Sequence, residues 1–474
     1  MPDTTTHPGA AARTTLGVAL LALVLRLGLL GWAWSHRVSL LPPGVWDEQG
    51  YHLLAVNLLR HHRLAVGAIS TDPELRRAAG WCATQPPAYQ RSFASFNSRD
   101  RTPGFPAFLA AVYAVTGPSP YAAAAAMCIV SALAAGLVYQ ATARAIGPTT
   151  GVAAGLLMAI SPEGILNSTQ ILSDTLHMVL LAAFLLAVVG AIKRASAVAG
   201  AVAGLCLGAA ILVRPITVYA PFVLAVVLLL ARVRPAVWAS MLVAAYCIVA
   251  PWCVRNAIVY GRFGVSGIAK YNLLAYNLAF AKARATGRTV EAVQAEYAAE
   301  AVRTPDGGSA LARRELARYW PLVVRNQLVG AAMFWVSVDR SWWSQVLTGR
   351  MVQADALNRA WRNGLLDAAR SIARSPGGAL AMATAGLNGL WTLLALAGAA
   401  VCIKRKIAPT EVAVAVTCCA YYSLLSGAVS IARFRLAAEP FAAMLAGVGI
   451  AWLVAMAARR SPQAAGASHP SPTA

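Results

Sequence analysis

Apolar runs of about twenty residues, the length that crosses a hydrocarbon layer as a helix, recur along the chain between short polar connections. They predict spans near 15–34, 121–143, 149–162, 171–192, 197–213, 216–231, 235–254, 379–402, 410–430 and 436–458. The run at 149–162 is short, and two further apolar stretches, 104–117 and 320–338, are candidates for embedding in the membrane or lying along its surface. Two segments between spans are long, 35–120 and 255–378. The first holds an amphipathic stretch from Asp47 to Leu59 with Tyr51, Leu54 and Leu58 on one face. The second holds a helical run from Val290 to Arg318 and an aromatic segment from Phe334-Trp335 to Trp342-Trp343, a composition favoured at membrane interfaces. The pattern predicts an all-α polytopic membrane protein.

Composition agrees. Of 474 residues, 58% are hydrophobic and only 12% charged, against about half and a quarter in soluble proteins. Mean hydropathy is +0.60, which argues against an ordinary soluble enzyme. The net charge of +22 would suggest nucleic acid in a soluble domain. Here the basic residues lie mostly between apolar runs, where they set topology and meet lipid headgroups, so no nucleic-acid partner is expected. Arg13, Arg144, Lys193-Arg194, Arg232 with Arg234, Lys404-Arg405-Lys406 and Arg459-Arg460 fall in alternate connections. The positive-inside rule makes that side cytoplasmic, with both termini inside. Of eighteen acidic residues only Asp3 and Glu411 share it.

Residues 1–14 read as a flexible cytoplasmic N-terminus, and the first apolar run, with no clear small-residue cleavage site, as a retained span rather than a signal peptide. Residues 459–474 read as a disordered cytoplasmic tail. All eight cysteines except Cys82 lie in or beside apolar spans and none forms a C-x-x-C pair, which disfavours a zinc site or disulfide framework. A G-x-x-x-x-G-K-[ST] loop and an H-E-x-x-H motif are both absent.

Candidate chemistry gathers at the expected outer span ends. Trp46-Asp47-Glu48-Gln49-Gly50-Tyr51-His52 opens the first amphipathic stretch. Its two acids either complement a helix dipole or supply a shielded general base for a substrate hydroxyl. Asp174, in Ser173-Asp174-Thr175-Leu176-His177, is either a cap or a second functional acid. With His177 one turn on and Glu163 in the preceding outer turn, it is also a weak candidate for a divalent metal. Arg214, Arg255, Arg433 and Arg435 stand where the positive-inside rule least expects them. Each alone reads as a snorkelling side chain; together they suit an anionic lipid headgroup, because a guanidinium matches phosphate bidentately.

The order of these motifs resembles the GT-C superfamily of membrane glycosyltransferases, in the bacterial branch related to protein O-mannosyltransferases and lipid A aminoarabinose transferases. The resemblance rests on Trp46-Asp47-Glu48-x-x-Tyr51, Arg101-Thr102-Pro103-Gly104-Phe105-Pro106-Ala107-Phe108-Leu109, Ser173-Asp174-Thr175-Leu176, Leu212-Val213-Arg214-Pro215, Pro251-Trp252-Cys253-Val254-Arg255-Asn256 and Arg433-Phe434-Arg435. It covers roughly 15–458 and is strongest in the first 260 residues; about Lys270 to Pro376 match no pattern. It implies a GT-C-like bundle of about ten to thirteen transmembrane helices with outer-face juxtamembrane helices. It also implies an inverting transfer of a sugar from a polyprenyl-phosphate carrier to a hydroxyl acceptor, an envelope glycan, lipid or protein, on the outer face of the cytoplasmic membrane. By resemblance Asp47, Glu48 and Asp174 are the catalytic candidates, and Tyr51, Arg101, Arg214, Arg255, Arg433 and Arg435 those for the carrier phosphate. Two other readings stay open: a transporter or flippase, and a lipid-diphosphate-dependent glycan polymerase or ligase.

Overall fold

The computed structural model describes residues 8–42, 46–65, 99–303, 308–349, 370, 373–374 and 378–460, and these are helical, with no strand among them. In chain order the helices are α1 (Pro8–Ser35), α2 (Trp46–His61), α3 (Gly104–Thr116), α4 (Pro120–Ala145), α5 (Pro148–Ile160), α6 (Pro162–Asn167), α7 (Ser173–Arg194), α8 (Ala197–Val213), α9 (Ala220–Leu230) and α10 (Pro235–Tyr260). There follow α11 (Ile268–Asn272), α12 (Ala279–Thr286), α13 (Val290–Arg303), α14 (Ser309–Val336), α15 (Arg340–Thr348), α16 (Gly378–Arg405), α17 (Pro409–Ser426) and α18 (Glu439–Arg460). A π turn, Leu273–Leu278, joins α11 to α12, and a 3-10 turn, Ala432–Ala437, leads into α18.

Among the described residues, seven segments are long and apolar enough to cross a membrane, one of them Ser309–Thr348, which sequence patterning assigns to an outer segment. Contacts at the ends of α14 decide between these readings. Its start packs Leu311 and Ala312 against Leu274, Leu278 and Ala279. At its far end Asn388 donates to the Ser337 carbonyl at 3.1 Å, and the Trp342 indole just beyond donates to Thr169 at 3.3 Å. Both ends therefore sit at the end of the bundle that carries Asp47 and Ser173, and α14 lies across that end rather than through the bundle. The short α3 does the same: Thr102 before it donates to the Val213 carbonyl at 3.1 Å, and Tyr121 after it donates to Val38 at 2.7 Å. Among the described residues, the apolar helices outside this end layer are α1, α4, α5, α7, α8, α9, α10, α16, α17 and α18, with α5, α8 and α9 shorter than the 18 residues of the long spans.

Three local features explain how so apolar a chain packs. Helices α8 and α10 approach along Gly200, Gly204 and Gly208, where a Cβ would strike the carbonyls of Val237, Met241 and Ala245; small residues at this spacing let membrane helices touch backbone to backbone. Helix α5 has 13 residues, about 20 Å, too short for a layer of about 30 Å. Its last carbonyls are met by Arg26 from the middle of α1, fully buried, whose guanidinium bonds Met158 O at 3.1 Å, Ala159 O at 3.0 Å and Ser131 Oγ at 2.7 Å. At the end opposite Asp47, Lys193 pairs with Glu411 at 3.8 Å.

Several expectations need correction. Helix α1 begins at Pro8, so residues 8–14, expected within the N-terminal segment, are helical; Gly-Ala-Ala-Ala-Arg after a proline extends the helix readily. The run from Val290 to Arg318 is two helices, α13 and α14. Cys82, residues 461–474 and much of 35–120 lie outside the described residues.

Candidate functional site

Helix α2 starts at Trp46, so Asp47 and Glu48 fall in its first turn. Its inner face, Tyr51, Leu54 and Ala55, packs with Phe105, Leu109 and Tyr113 of α3 and with Ile171, Leu172 and Val213. This apolar seam sets the height of Asp47 over the bundle. Gly104 allows the same closeness beside it, since a Cβ there would sit 2.7 Å from Leu212 O. The arginine-bearing motif at Arg101 is thereby laid against the one at Arg214.

The Asp47 carboxylate is held on both sides, by Arg101 at 3.1 Å and by Arg433 at 2.6 Å. Asp174 is paired with Arg214 at 2.6 Å. Ser173 joins the two pairs, lying 3.3 Å from Arg214 and 3.5 Å from the Tyr51 hydroxyl, which also accepts from Arg101 at 3.5 Å. Arg214 and Arg433 both stack on Phe434, at 5.2 and 5.6 Å from its centroid. The three guanidiniums pair directly with only two carboxylates, and the Arg101, Arg214 and Arg433 side chains remain 20%, 21% and 17% exposed. Such a ring can take an anion without moving the backbone.

Burial alone would raise the Asp47 pKa, but Arg101 and Arg433 outweigh it and hold the carboxyl well below the usual range. Glu48, one residue on, is only 3% exposed. Burial pushes its pKa up to about 8, Asp47 and Asp339 adding to the rise and Arg433 opposing it. The first turn of α2 thus carries one ionised and one protonated carboxyl at neutral pH.

Other candidates are placed elsewhere. Arg435 points inward, bonded to Glu439 at 3.3 Å, Asn388 at 3.0 Å and the carbonyls of Trp335 and Ser337 at 3.4 Å, and is only 3% exposed. It anchors α16 and the end of α14 to α18, apart from Arg433, because alternate residues of a 3-10 turn point to different sides. Arg255 stacks on Trp252 and Tyr260 at 4.9 and 5.1 Å and bonds Asn256 at 3.0 Å, contacts within its own helix. His177 turns its Nε2 to Thr217 at 2.6 Å, away from Asp174. Among the described residues no three His, Cys, Asp or Glu side chains are grouped to hold a metal, so Asp174, His177 and Glu163 do not form one ligand set.

Two contributors were not singled out from the sequence. Tyr276, on the π turn, lies within electrostatic range of Asp47 and Arg433 and is in edge contact with Tyr271 at 6.0 Å. The widened turn frees the Ala275 carbonyl, which the Gln294 amide takes up at 2.7 Å, and no periodicity in 270–280 announces it. Asp339, between α14 and α15, reaches Arg433 and Asp174 electrostatically.

The helical bundle is similar in fold to membrane glycosyltransferases of known structure. Residues 100–254, about a third of the chain, match the family model described as dolichyl-phosphate-mannose-protein mannosyltransferase. Among solved structures, the apo oligosaccharyltransferase of Archaeoglobus fulgidus superposes with a TM-score of 0.51 at 14% identity, over 99% of this chain and 53% of that one. The Archaeoglobus fulgidus oligosaccharyltransferase AglB, in complex with an inhibitory peptide and a dolichol-phosphate, gives 0.49 at 16% identity, over 96% and 52%. ArnT from Cupriavidus metallidurans, bound to undecaprenyl phosphate, gives 0.40 at 16%, over 98% and 82%. The chain spans about half the length of the archaeal enzymes it resembles. No protein of curated function matches it in sequence.

Proposed function

We propose that the protein is an inverting glycosyltransferase that moves a sugar from a polyprenyl-phosphate carrier to a hydroxyl acceptor at the outer face of the cytoplasmic membrane. The observation that carries the reading is Asp47 clamped between Arg101 and Arg433, with Arg214 alongside, at the end of the bundle opposite the basic connections. A carrier phosphate competes for those guanidiniums. Once they turn to it, the lowering influence on Asp47 weakens while its burial persists, so donor binding makes Asp47 a stronger base.

The acceptor hydroxyl oxygen then bonds to the anomeric carbon as the bond from that carbon to the phosphate oxygen breaks. Its proton passes to Asp47, and the arginines stabilise the charge on the departing polyprenyl phosphate. Holding both substrates on a preorganised surface supplies further acceleration. The charge cluster sits at one end rather than at mid-depth between repeats, which favours a fixed site over alternating access.

The test is transfer by purified protein in nanodiscs, offered a panel of polyprenyl-phosphate sugars with membrane extract as acceptor. Wild type is expected to consume a donor, and Arg433→Ala to raise KM for it by about 10-fold or more, one charge-assisted contact being worth about 1.5–3 kcal/mol. No consumption of any donor by folded wild type would sink the reading.

A pH profile gives a second check. Glu48 is neutral below about 8, and its ionisation adds negative charge where the phosphate must approach. kcat/KM is therefore expected to fall as pH rises through about 8, and Glu48→Gln, neutral at every pH, to flatten that limb. An alkaline limb unchanged in Glu48→Gln would assign the titration to another group.

A further inference from the structure

Helices α8 and α9 are joined by a 3-10 turn, Pro215–Tyr219, that follows Arg214 directly. A break in a membrane helix needs its backbone groups met by neighbouring side chains. Here the donors are tyrosines. The Tyr421 hydroxyl donates to the Ile216 carbonyl at 2.5 Å, and the Tyr246 hydroxyl donates to the Val218 carbonyl at 2.8 Å. The residue between them is held through its side chain: the Thr217 hydroxyl meets His177 Nε2 at 2.6 Å and the Tyr422 hydroxyl at 3.1 Å. Three successive residues of the turn are thus tied to α7, α10 and α17.

Thr217, His177 and Tyr422 are 0%, 1% and 1% exposed. Satisfying the backbone of the break does not require their hydrogen bonds, which run between side chains. A buried polar network with its members paired does something else: it fixes one arrangement where apolar packing would tolerate sliding. The turn fixed in this way is the one that aims Arg214. Thr217 N–H donates to the Arg214 carbonyl at 3.3 Å, while the Arg214 guanidinium pairs with Asp174 at 2.6 Å and donates to Ser173 at 3.3 Å. Asp174 and His177 are one turn apart on α7, so a single helix end grips both the guanidinium and the turn that carries it. Arg214 also acts electrostatically on His177 and Tyr422.

We propose that Thr217, His177 and Tyr422 are positioning residues that hold Arg214 in place for the carrier phosphate; the proposal rests on the transferase reading above. A phosphate competes with Asp174 for the guanidinium, so that ion pair cannot keep Arg214 in place while the donor is bound. The clasp on Thr217 uses none of the guanidinium nitrogens and persists through the exchange. A donor group held in advance needs no reorganisation when the anion arrives.

The experiment measures binding of bare polyprenyl phosphate and turnover of polyprenyl-phosphate sugars in nanodiscs. It compares wild type, Thr217→Val, Thr217→Ser, Tyr422→Phe, Arg214→Ala and the double variant Thr217→Val with Arg214→Ala, all checked for folding. Thr217→Val is expected to weaken carrier binding by about 5–10-fold, part of the worth of one charge-assisted contact. Tyr422→Phe should weaken it less, because His177 still holds Thr217, and Thr217→Ser, which keeps the hydroxyl, should recover most of the affinity. In the Arg214→Ala background Thr217→Val should change affinity by less than about twofold, because the group it positions is gone. Tyr422→Phe removes a single oxygen and carries the same comparison if Thr217→Val does not fold. Folded variants that bind carrier as wild type does, or that lose as much without Arg214 as with it, would overturn the clasp and leave the transferase reading standing. A wild type that binds carrier but turns over no donor would overturn the transferase reading, with the binding comparison still deciding the clasp; a wild type that binds no carrier would overturn both.

Discussion

Asp47→Asn is expected to lower kcat for sugar transfer by about 10²–10⁴-fold, the span by which a positioned general base contributes. The amide keeps the shape of the carboxylate but cannot take the acceptor proton. The same substitution should not weaken carrier binding. In the wild type the Asp47 carboxylate occupies Arg101 and Arg433 at 3.1 and 2.6 Å, and the phosphate must displace it. In Asp47→Asn that competition is gone, so bare polyprenyl phosphate should bind as tightly as to wild type or more tightly. Turnover measured beside a binding isotherm separates the two effects. Full activity in Asp47→Asn would remove Asp47 as the base, and weakened carrier binding would contradict the displacement of the ion pairs by phosphate.

The largest effect on stability is expected at Arg26, far from the reacting groups. Arg26→Met should cost about 3–5 kcal/mol, because buried acceptors on α4 and α5 lose their donor at about 1–3 kcal/mol each. Two considerations oppose each other. An arginine is expensive at membrane depth, so its removal relieves a penalty. Its absence leaves the carbonyls of Met158 and Ala159, and Ser131 Oγ, without their donor where no water can replace it. The second wins, because these are the terminal carbonyls of a 13-residue helix that ends inside the layer. A fall in the midpoint of thermal unfolding of about 3–5 °C is expected, with Arg26→Lys intermediate because an ammonium keeps the charge but lacks the planar fork. A midpoint within the error of wild type would show that α5 does not depend on this clamp.

How much of this was legible beforehand differs from residue to residue. Hydropathy over twenty-residue windows reflects transfer from water, which is a property of composition, so the apolar runs and the alternation of basic connections could be read directly. The pairing of Asp47 with Arg433 could be anticipated only as membership of one face. It joins residues 386 positions apart, and α2 and the 3-10 turn before α18 are brought together by the packing of α2 on α3 and by the closing of the bundle.

Four arginines at outer span ends are equivalent in the sequence, yet Arg214 and Arg433 face the site, Arg255 stacks within its own helix, and Arg435 turns inward to Glu439. Local geometry at a helix end decides such directions, and hydropathy carries no information about it. Arg26 did carry a signal, a lone charge in the first apolar run, but its partners on α4 and α5 become visible only when three helices meet.

The sequence left 320–338 either embedded in the membrane or along its surface, and the contacts at the two ends of α14 lay it across the end of the bundle. Sequence by itself therefore determined the membrane class, the ten apolar runs and the residue types at the charged end. Tertiary structure decided which charges neutralise one another and which carboxyl is pushed toward its protonated form by burial. Those outcomes depend on distances of a few ångströms between residues far apart in the chain, where a Coulomb or hydrogen-bond energy changes faster than any pattern of residue types records.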